Sequence, residues 1–264
     1  MAAKKTQSPV RTNSKSRPQN ARLLGKVAVV TGGSRGIGYA IAQTFAAEGC
    51  SVIITGRDNK TLAKSAAAIS AQLPKALRSR AEVLAQACDV RNPYDVNALF
   101  AMIRKRFKKL HILVNNAGIT QPVLSVEQTP LELWRDVLDT NLTGIYLCTR
   151  AALPFMQAGS TIVNNLSAAA RQVFPNYAAY SAAKRGALGF TLSLREELIP
   201  RGIRVVALMP GATATDMWDQ IMSNAPRDRM MDVNSIAQTV LHAVLLPPNV
   251  NLSELSLDPT GGAL

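Results

Sequence analysis

Tyr180 and Lys184 stand four residues apart in the run Asn176-Tyr177-Ala178-Ala179-Tyr180-Ser181-Ala182-Ala183-Lys184. On a helix, that spacing puts both side chains on one face, with Cβ atoms roughly 5–6 Å apart. A phenol beside a fixed ammonium is a proton donor with a lowered pKa. At an effective dielectric of ~20, a unit charge ~4 Å away contributes about 4 kcal/mol, or roughly three pKa units. Such a shift brings a phenol from ~10 towards neutrality, where general acid/base catalysis works best. The same spacing is common on solvated helix surfaces, so the pair needs a setting that gives it something to act on.

That setting begins at Lys26-Val27-Ala28-Val29-Val30-Thr31, an apolar β-branched run that predicts a buried strand. It leads into Gly32-Gly33-Ser34-Arg35-Gly36-Ile37-Gly38 and a helix over residues 39–48. Strand, glycine turn and helix form the context of a phosphate-binding turn, where the backbone bends at φ > 0 and an anion reaches the helix N-terminus. A tight strand-to-helix connection without a ligand has the same outline. A second strand, residues 51–55, ends at Gly56-Arg57-Asp58. Dinucleotide sites often place a carboxylate at this strand end to hold the adenosine ribose. Here Arg57 occupies it, and Arg35 lies in the glycine turn on the same side. Two guanidiniums favour a ribose 2′-phosphate, so these residues lean towards NADP(H) over NAD(H).

The alternation continues with a helix over 59–72, a strand over 81–87, and Asp89-Val90 just beyond it. Ligands bind beyond the carboxyl ends of strands in open α/β sheets, which marks Asp89. Asn92 suits the N-cap of the helix starting near Pro93. The run Arg104-Lys105-Arg106-Phe107-Lys108-Lys109 suits that helix's negative end. His111 opens the strand 112–114 and has no metal-ligand neighbours in sequence. Asn115-Asn116-Ala117-Gly118 closes that strand with residues small enough to border a ribose. A helical region over 130–157 is interrupted near Asn141, which either marks a kink or offers its amide to a water and a Lys. A strand over 160–166 ends at Ser167, a helix over 180–200 carries the Tyr/Lys pair, and a strand over 203–208 ends at Pro210-Gly211. The pattern predicts an α/β chain: a single-domain doubly wound fold with a parallel sheet of about seven strands and helices on both faces.

Composition agrees. The chain has 264 residues, 47% of them hydrophobic, enough for a sizeable core, with no apolar run long enough for a membrane span. Cys50, Cys88 and Cys148 are scattered and odd in number, the usage of reduced thiols in a cytoplasmic protein. No metal spacing is visible. Of the net charge of +13, six charges fall in the acid-free stretch 1–22, which reads as a disordered basic tail ahead of a domain over 23–264. The tail lacks the aromatics that stack on bases, so a solvated extension is the preferred reading over nucleic-acid binding.

In order and spacing, these stretches resemble the short-chain dehydrogenase/reductase family: Thr31 to Gly38, Asp89-Val90, Asn115 to Gly118, Asn141, Ser167, Tyr180 to Lys184, and Pro210-Gly211. The resemblance covers residues 24–258. It implies a reductase that passes hydride from NADPH to a ketone or 3-oxoacyl-type carbonyl, or an NADP-dependent alcohol or hydroxy-acid dehydrogenase running the other way. Tyr180 would protonate the carbonyl oxygen, Ser167 would position it, Lys184 would tune Tyr180 and bind the nicotinamide ribose, and Asn141 would hold a relay water. Gly32, Ser34, Gly36, Ile37 and Gly38 would hold the pyrophosphate, Arg35 and Arg57 the 2′-phosphate, and Asp89 and Val90 the adenine. Asn116, Ala117 and Gly118 would border a ribose, Pro210, Gly211 and Thr213 would bind the cofactor, and Thr215 would reach the nicotinamide amide or the phosphates. A homotetramer or homodimer is implied by the same resemblance, and the Ala-rich face Ala179, Ala182, Ala183, Ala187 would allow close helix approach. Leu124, Val173, Phe174, Met217 and Trp218 suggest a partly apolar substrate pocket. Arg201 would suit an acidic carrier protein. A catalytically idle nucleotide- or nucleic-acid-binding protein is the alternative from another class.

Overall fold

Every residue of Val27–Thr31 (β1) is buried, because the strand sits mid-sheet with a helix layer on either side. Its neighbours sort by alternation: Ala28 and Val30 face one core, Val27 and Val29 the other. The computed structural model describes residues 21–222 and 224–262. The expected basic tail lies outside the described residues up to position 20. Arg22, its last cation, pairs with Glu48 at 2.5 Å and belongs to the domain.

Seven parallel strands follow the order β3-β2-β1-β4-β5-β6-β7. The others are β2 (Ser51–Gly56), β3 (Val83–Ala87), β4 (Ile112–Asn115), β5 (Thr161–Asn165), β6 (Arg204–Pro210) and β7 (Glu254–Leu257). Helices α1 (Gly36–Ala47), α2 (Asn59–Gln72) and α7 (Val233–Leu245) cover one face, with Phe45, Ile69 and Val240 in its core. The other face is covered by α3 (Pro93–Phe107), α4 (Leu131–Leu138), α5 (Gly144–Ala152) and α6 (Ala178–Leu198). The strand order reverses direction between β1 and β4, which opens a crevice at their carboxyl ends.

Several boundaries differ from the sequence reading. Helix α1 starts at Gly36, not residue 39, because Gly36 and Gly38 belong to its first turn. The interruption near Asn141 is a π-helical turn, Asp139–Thr143, between α4 and α5. Elements α7 and β7 extend the alternation beyond the six strands read from the sequence; β7 is only partly buried at the sheet edge, so it carries no apolar run. Ala179, Ala183 and Ala187 are fully buried inside the subunit, the first two against Val137 of α4. Only Ala182 of that face is exposed. No described helix is long and apolar enough to cross a membrane.

A buried polar ladder joins sheet and helices. Asn115 Nδ2 donates to Asn164 Oδ1 at 2.8 Å and to Thr149 Oγ1 at 3.0 Å, and Asn164 Nδ2 donates to Thr191 Oγ1 at 2.9 Å. Thr191 Oγ1 in turn donates to Ala187 O at 2.6 Å. The ladder fixes α5 and α6 relative to β4 and β5. Leaving a buried polar group unpaired costs roughly 1–3 kcal/mol. Asn164→Leu is therefore expected to destabilise the protein by at least ~2 kcal/mol in urea titration; a neutral result would contradict the ladder's role.

Candidate active site

A cleft of about 890 Å³ runs along the carboxyl ends of the strands. Of the residues assigned from the sequence to catalysis or cofactor binding, all but Gly38 and Asn141 line it. Gly38 lies behind the turn: a Cβ there would overlap Asn116 Nδ2 and Gly32 O, so this glycine allows close packing rather than close approach of a ligand. Asn141 reaches the cleft floor indirectly, through Gly118.

One hydrogen-bonded chain connects the glycine turn to the Tyr/Lys pair. Thr31 Oγ1 accepts from the backbone N–H groups of Asn116 and Ala117. Asn116 Nδ2 donates to Thr31 O and Gly32 O, and its Oδ1 accepts from Asn165 Nδ2 at 2.8 Å. Asn165 O in turn accepts from Lys184 Nζ at 3.1 Å. Thr31 and Asn165 were not singled out from the sequence as site residues; a polar residue at the end of each central strand was the available signal.

Lys184 is 4% exposed, and burial pulls its pKa down to about 8. Its ammonium lies 5.5 Å from the Tyr180 ring centroid. The Tyr180 phenol is pushed up to about 12, chiefly by burial; a hydrogen bond from Ser167 opposes the rise and Tyr177 adds to it. Part of Tyr180 remains open to the cleft, which tempers the rise. The direction corrects the sequence expectation of a phenol near neutrality. Desolvation outweighs the ammonium, which is itself desolvated and hydrogen-bonded to a carbonyl. Ser167 Oγ accepts from Ala169 N at 3.2 Å, which orients the hydroxyl as the cap of a short 3₁₀ turn.

Asn141 Nδ2 donates to Ile119 O and Val137 O, both at 2.9 Å. Its Oδ1 is buried without a partner. A Cβ on Gly118 would sit 2.7 Å from that oxygen and 3.7 Å from Lys184 Nζ, so both groups converge on one small space. The π-helical turn is what aims Asn141 there.

At the other end of the cleft, α1 begins with Arg35 as N-cap, with no side-chain cap and no acid in its first turn. Arg35 and Arg57 are exposed and form no ion pair among the described residues. The Asp58 carboxylate is occupied as the α2 N-cap, accepting from Thr61 N at 2.6 Å. Asp89 is held by Arg91, whose guanidinium also bridges to Asp136; this pairing keeps Asp89 below the usual carboxylate range. Thr213 Oγ1 donates to Gly211 O and holds its own loop. Met217, Trp218 and Phe174 line the far wall as expected, together with Val123, Ile221 and Met222, whereas Leu124 and Val173 do not. Arg201 donates to Leu153 O and Met156 O, so its guanidinium braces the domain and does not support a docking role. His111 Nδ1 accepts from Val27 N. The three cysteines are buried and unpaired.

The family described as short chain dehydrogenase matches residues 26–226. The chain belongs to that family. It is an oxidoreductase acting on CH–OH/C=O groups. It is 35% identical over 247 residues to a 3-oxoacyl-[acyl-carrier-protein] reductase of Synechocystis sp., covering 91% of this chain and 97% of that one. A sulfoacetaldehyde reductase of Chromohalobacter salexigens is 33% identical, over 88% of this chain and 92% of that one. The crystal structure of a short-chain dehydrogenase from Burkholderia cenocepacia J2315, solved in complex with NADP, superposes with a TM-score of 0.80 at 31% identity, covering 90% of this chain and 98% of that one.

The buried ammonium gives stability a definite pH dependence. Between pH ~8 and ~10.5 the unfolded chain binds more protons at Lys184 than the folded one, so stability rises with pH there. Tyr180, held up, acts oppositely only above pH ~10. Between pH 7.5 and 9.5 wild type is expected to gain on Lys184→Met by on the order of 1–2 kcal/mol in denaturant titrations. Parallel curves would contradict the burial of a titrating lysine.

Proposed function

We propose that the protein is an NADPH-dependent carbonyl reductase, with Tyr180 as proton donor and Ser167, Lys184 and Asn141 in support. The observation that carries this reading is the convergence of Ser167, Tyr180 and Lys184 on one cleft whose other end is an uncapped helix N-terminus flanked by two free arginines. The fit to a phosphorylated dinucleotide rests on that N-terminus and on Arg35 and Arg57; Asp58, just beyond the strand end, accepts from Thr61 N as the α2 N-cap. The unpartnered Asn141 Oδ1 beside Lys184 suits a relay water.

When bound, the nicotinamide supplies the hydride. The chain supplies the rest. Ser167, its oxygen fixed by Ala169 N–H, would turn its hydroxyl from Tyr180 to the substrate oxygen when a carbonyl binds. Tyr180, held protonated well above neutral pH, donates its proton to that oxygen as negative charge builds on it. Lys184 stabilises the phenolate left behind and offers its remaining N–H donors to ribose hydroxyls. The apolar far wall supports an apolar carbonyl, a 3-oxoacyl thioester among them, and similarity to the Synechocystis reductase points the same way.

Assays following NADPH and NADH absorbance over a carbonyl panel test this reading. Tyr180→Phe is expected to lower kcat by 10²-fold or more. Arg35→Ala with Arg57→Ala is expected to cut the preference for NADPH over NADH at least tenfold, about 1.4 kcal/mol, with little change for NADH. Wild-type turnover in Tyr180→Phe, or a native preference for NADH, would overturn the respective assignments.

A further inference from the structure

Helix α6 lacks a cap of its own. Its N-cap residue, Tyr177, provides no side-chain acceptor, although the first N–H groups of a helix have no intrahelical partner. The N–H of Tyr180, the third helical residue, instead donates to Gln121 Oε1 at 2.9 Å. Gln121 comes from the loop after β4, 59 residues earlier in the chain, and is completely buried. The other end of its amide donates to Asn176 O at 3.4 Å. Asn176 adopts the left-handed backbone at φ 61, and the same carbonyl accepts from Leu124 N at 3.0 Å. Next to this contact, buried Thr120 shares a 2.6 Å hydrogen bond with the Tyr177 phenol, whose ring meets that of Tyr180 edge to face at 5.5 Å. One loop thus grips the entry of the helix at Asn176, Tyr177 and Tyr180.

We infer that Gln121 is a positioning residue for Tyr180: its amide caps α6 from another loop and fixes where the phenol enters the cleft. Gln121 does not line the cleft, so it acts on the chemistry through the placement of Tyr180. The constraint is directional, because the amide oxygen serves the helix while one of the two amide N–H groups serves the loop, so both ends are engaged. The inference rests on Tyr180 being the proton donor.

Gln121→Met keeps the length and volume of the side chain and removes both polar ends. Turnover is measured with NADPH and a carbonyl that the wild-type enzyme reduces, and is expressed per NADPH-binding site counted by fluorescence titration. The expected result is a ten- to hundredfold loss of kcat per site, the scale on which a misplacement of about 1 Å acts. NADPH affinity is expected to stay within about twofold and the carbonyl KM within about threefold. Gln121→Glu keeps an acceptor facing Tyr180 N–H and is expected to recover at least tenfold in kcat over Gln121→Met. An unchanged kcat per site overturns the inference, as does a loss that disappears once the rate is expressed per binding site. If Gln121→Met gives no folded protein, Gln121→Asn, one methylene too short to reach, is read by the same criteria. Tyr180→Phe in the same assay separates the two claims. If it retains wild-type turnover, the proton-donor reading itself fails; if it is inactive while Gln121→Met is normal, only the positioning role fails.

Discussion

The structure depends on an ammonium that has been taken out of water. Lys184 lies at the centre of the cleft floor with one hydrogen bond among the described contacts, to Asn165 O. A charge so placed is costly unless other acceptors complete its shell. The surroundings appropriate to that need are present: an Asn141 carbonyl oxygen without a partner, a phenol on the same helix face, and a cleft wide enough for a dinucleotide. The polar ladder through Asn115, Asn164 and Thr191 holds the helix that carries the ammonium against the strands that present its acceptors.

The glycine turn and the lysine are parts of one connected object. From Thr31 through Asn116 and Asn165, side-chain amides link the end of β1 to Lys184 with no gap. These bonds brace the crevice between β1 and β4, where the proposed cofactor and proton donor would be held in register. They also account for Gly38, whose hydrogen leaves room for the Asn116 amide. Preorganisation of this kind is how a protein contributes to a hydride transfer whose chemistry belongs to the cofactor.

Much of this was legible in the sequence. The β-branched run into Gly32, the strand ends at Asn115 and Ser167, and the Tyr180/Lys184 spacing each carry a local signal, and the sheet assembles them as the alternation requires. Three things were not legible. The phenol's pKa depends on desolvation, which spacing does not report: the four-residue interval gave the right face of the helix and the wrong direction of shift. The π-helical turn at Asn141 showed only as a poor helix former, because its geometry comes from packing. Gln121 gave no signal at all, since its partner is a backbone N–H 59 residues away.

The central proposal is that Lys184, a buried ammonium, is a ligand of the cofactor. Proton uptake on NADPH binding tests it directly, by titration calorimetry at pH 8 in two buffers of different ionisation enthalpy. A lysine that is half neutral in the free enzyme and fully charged in the complex takes up about half a proton. That uptake is expected to vanish in Lys184→Met if the variant still binds NADPH. Binding with no uptake, or with proton release at this pH, would contradict the account.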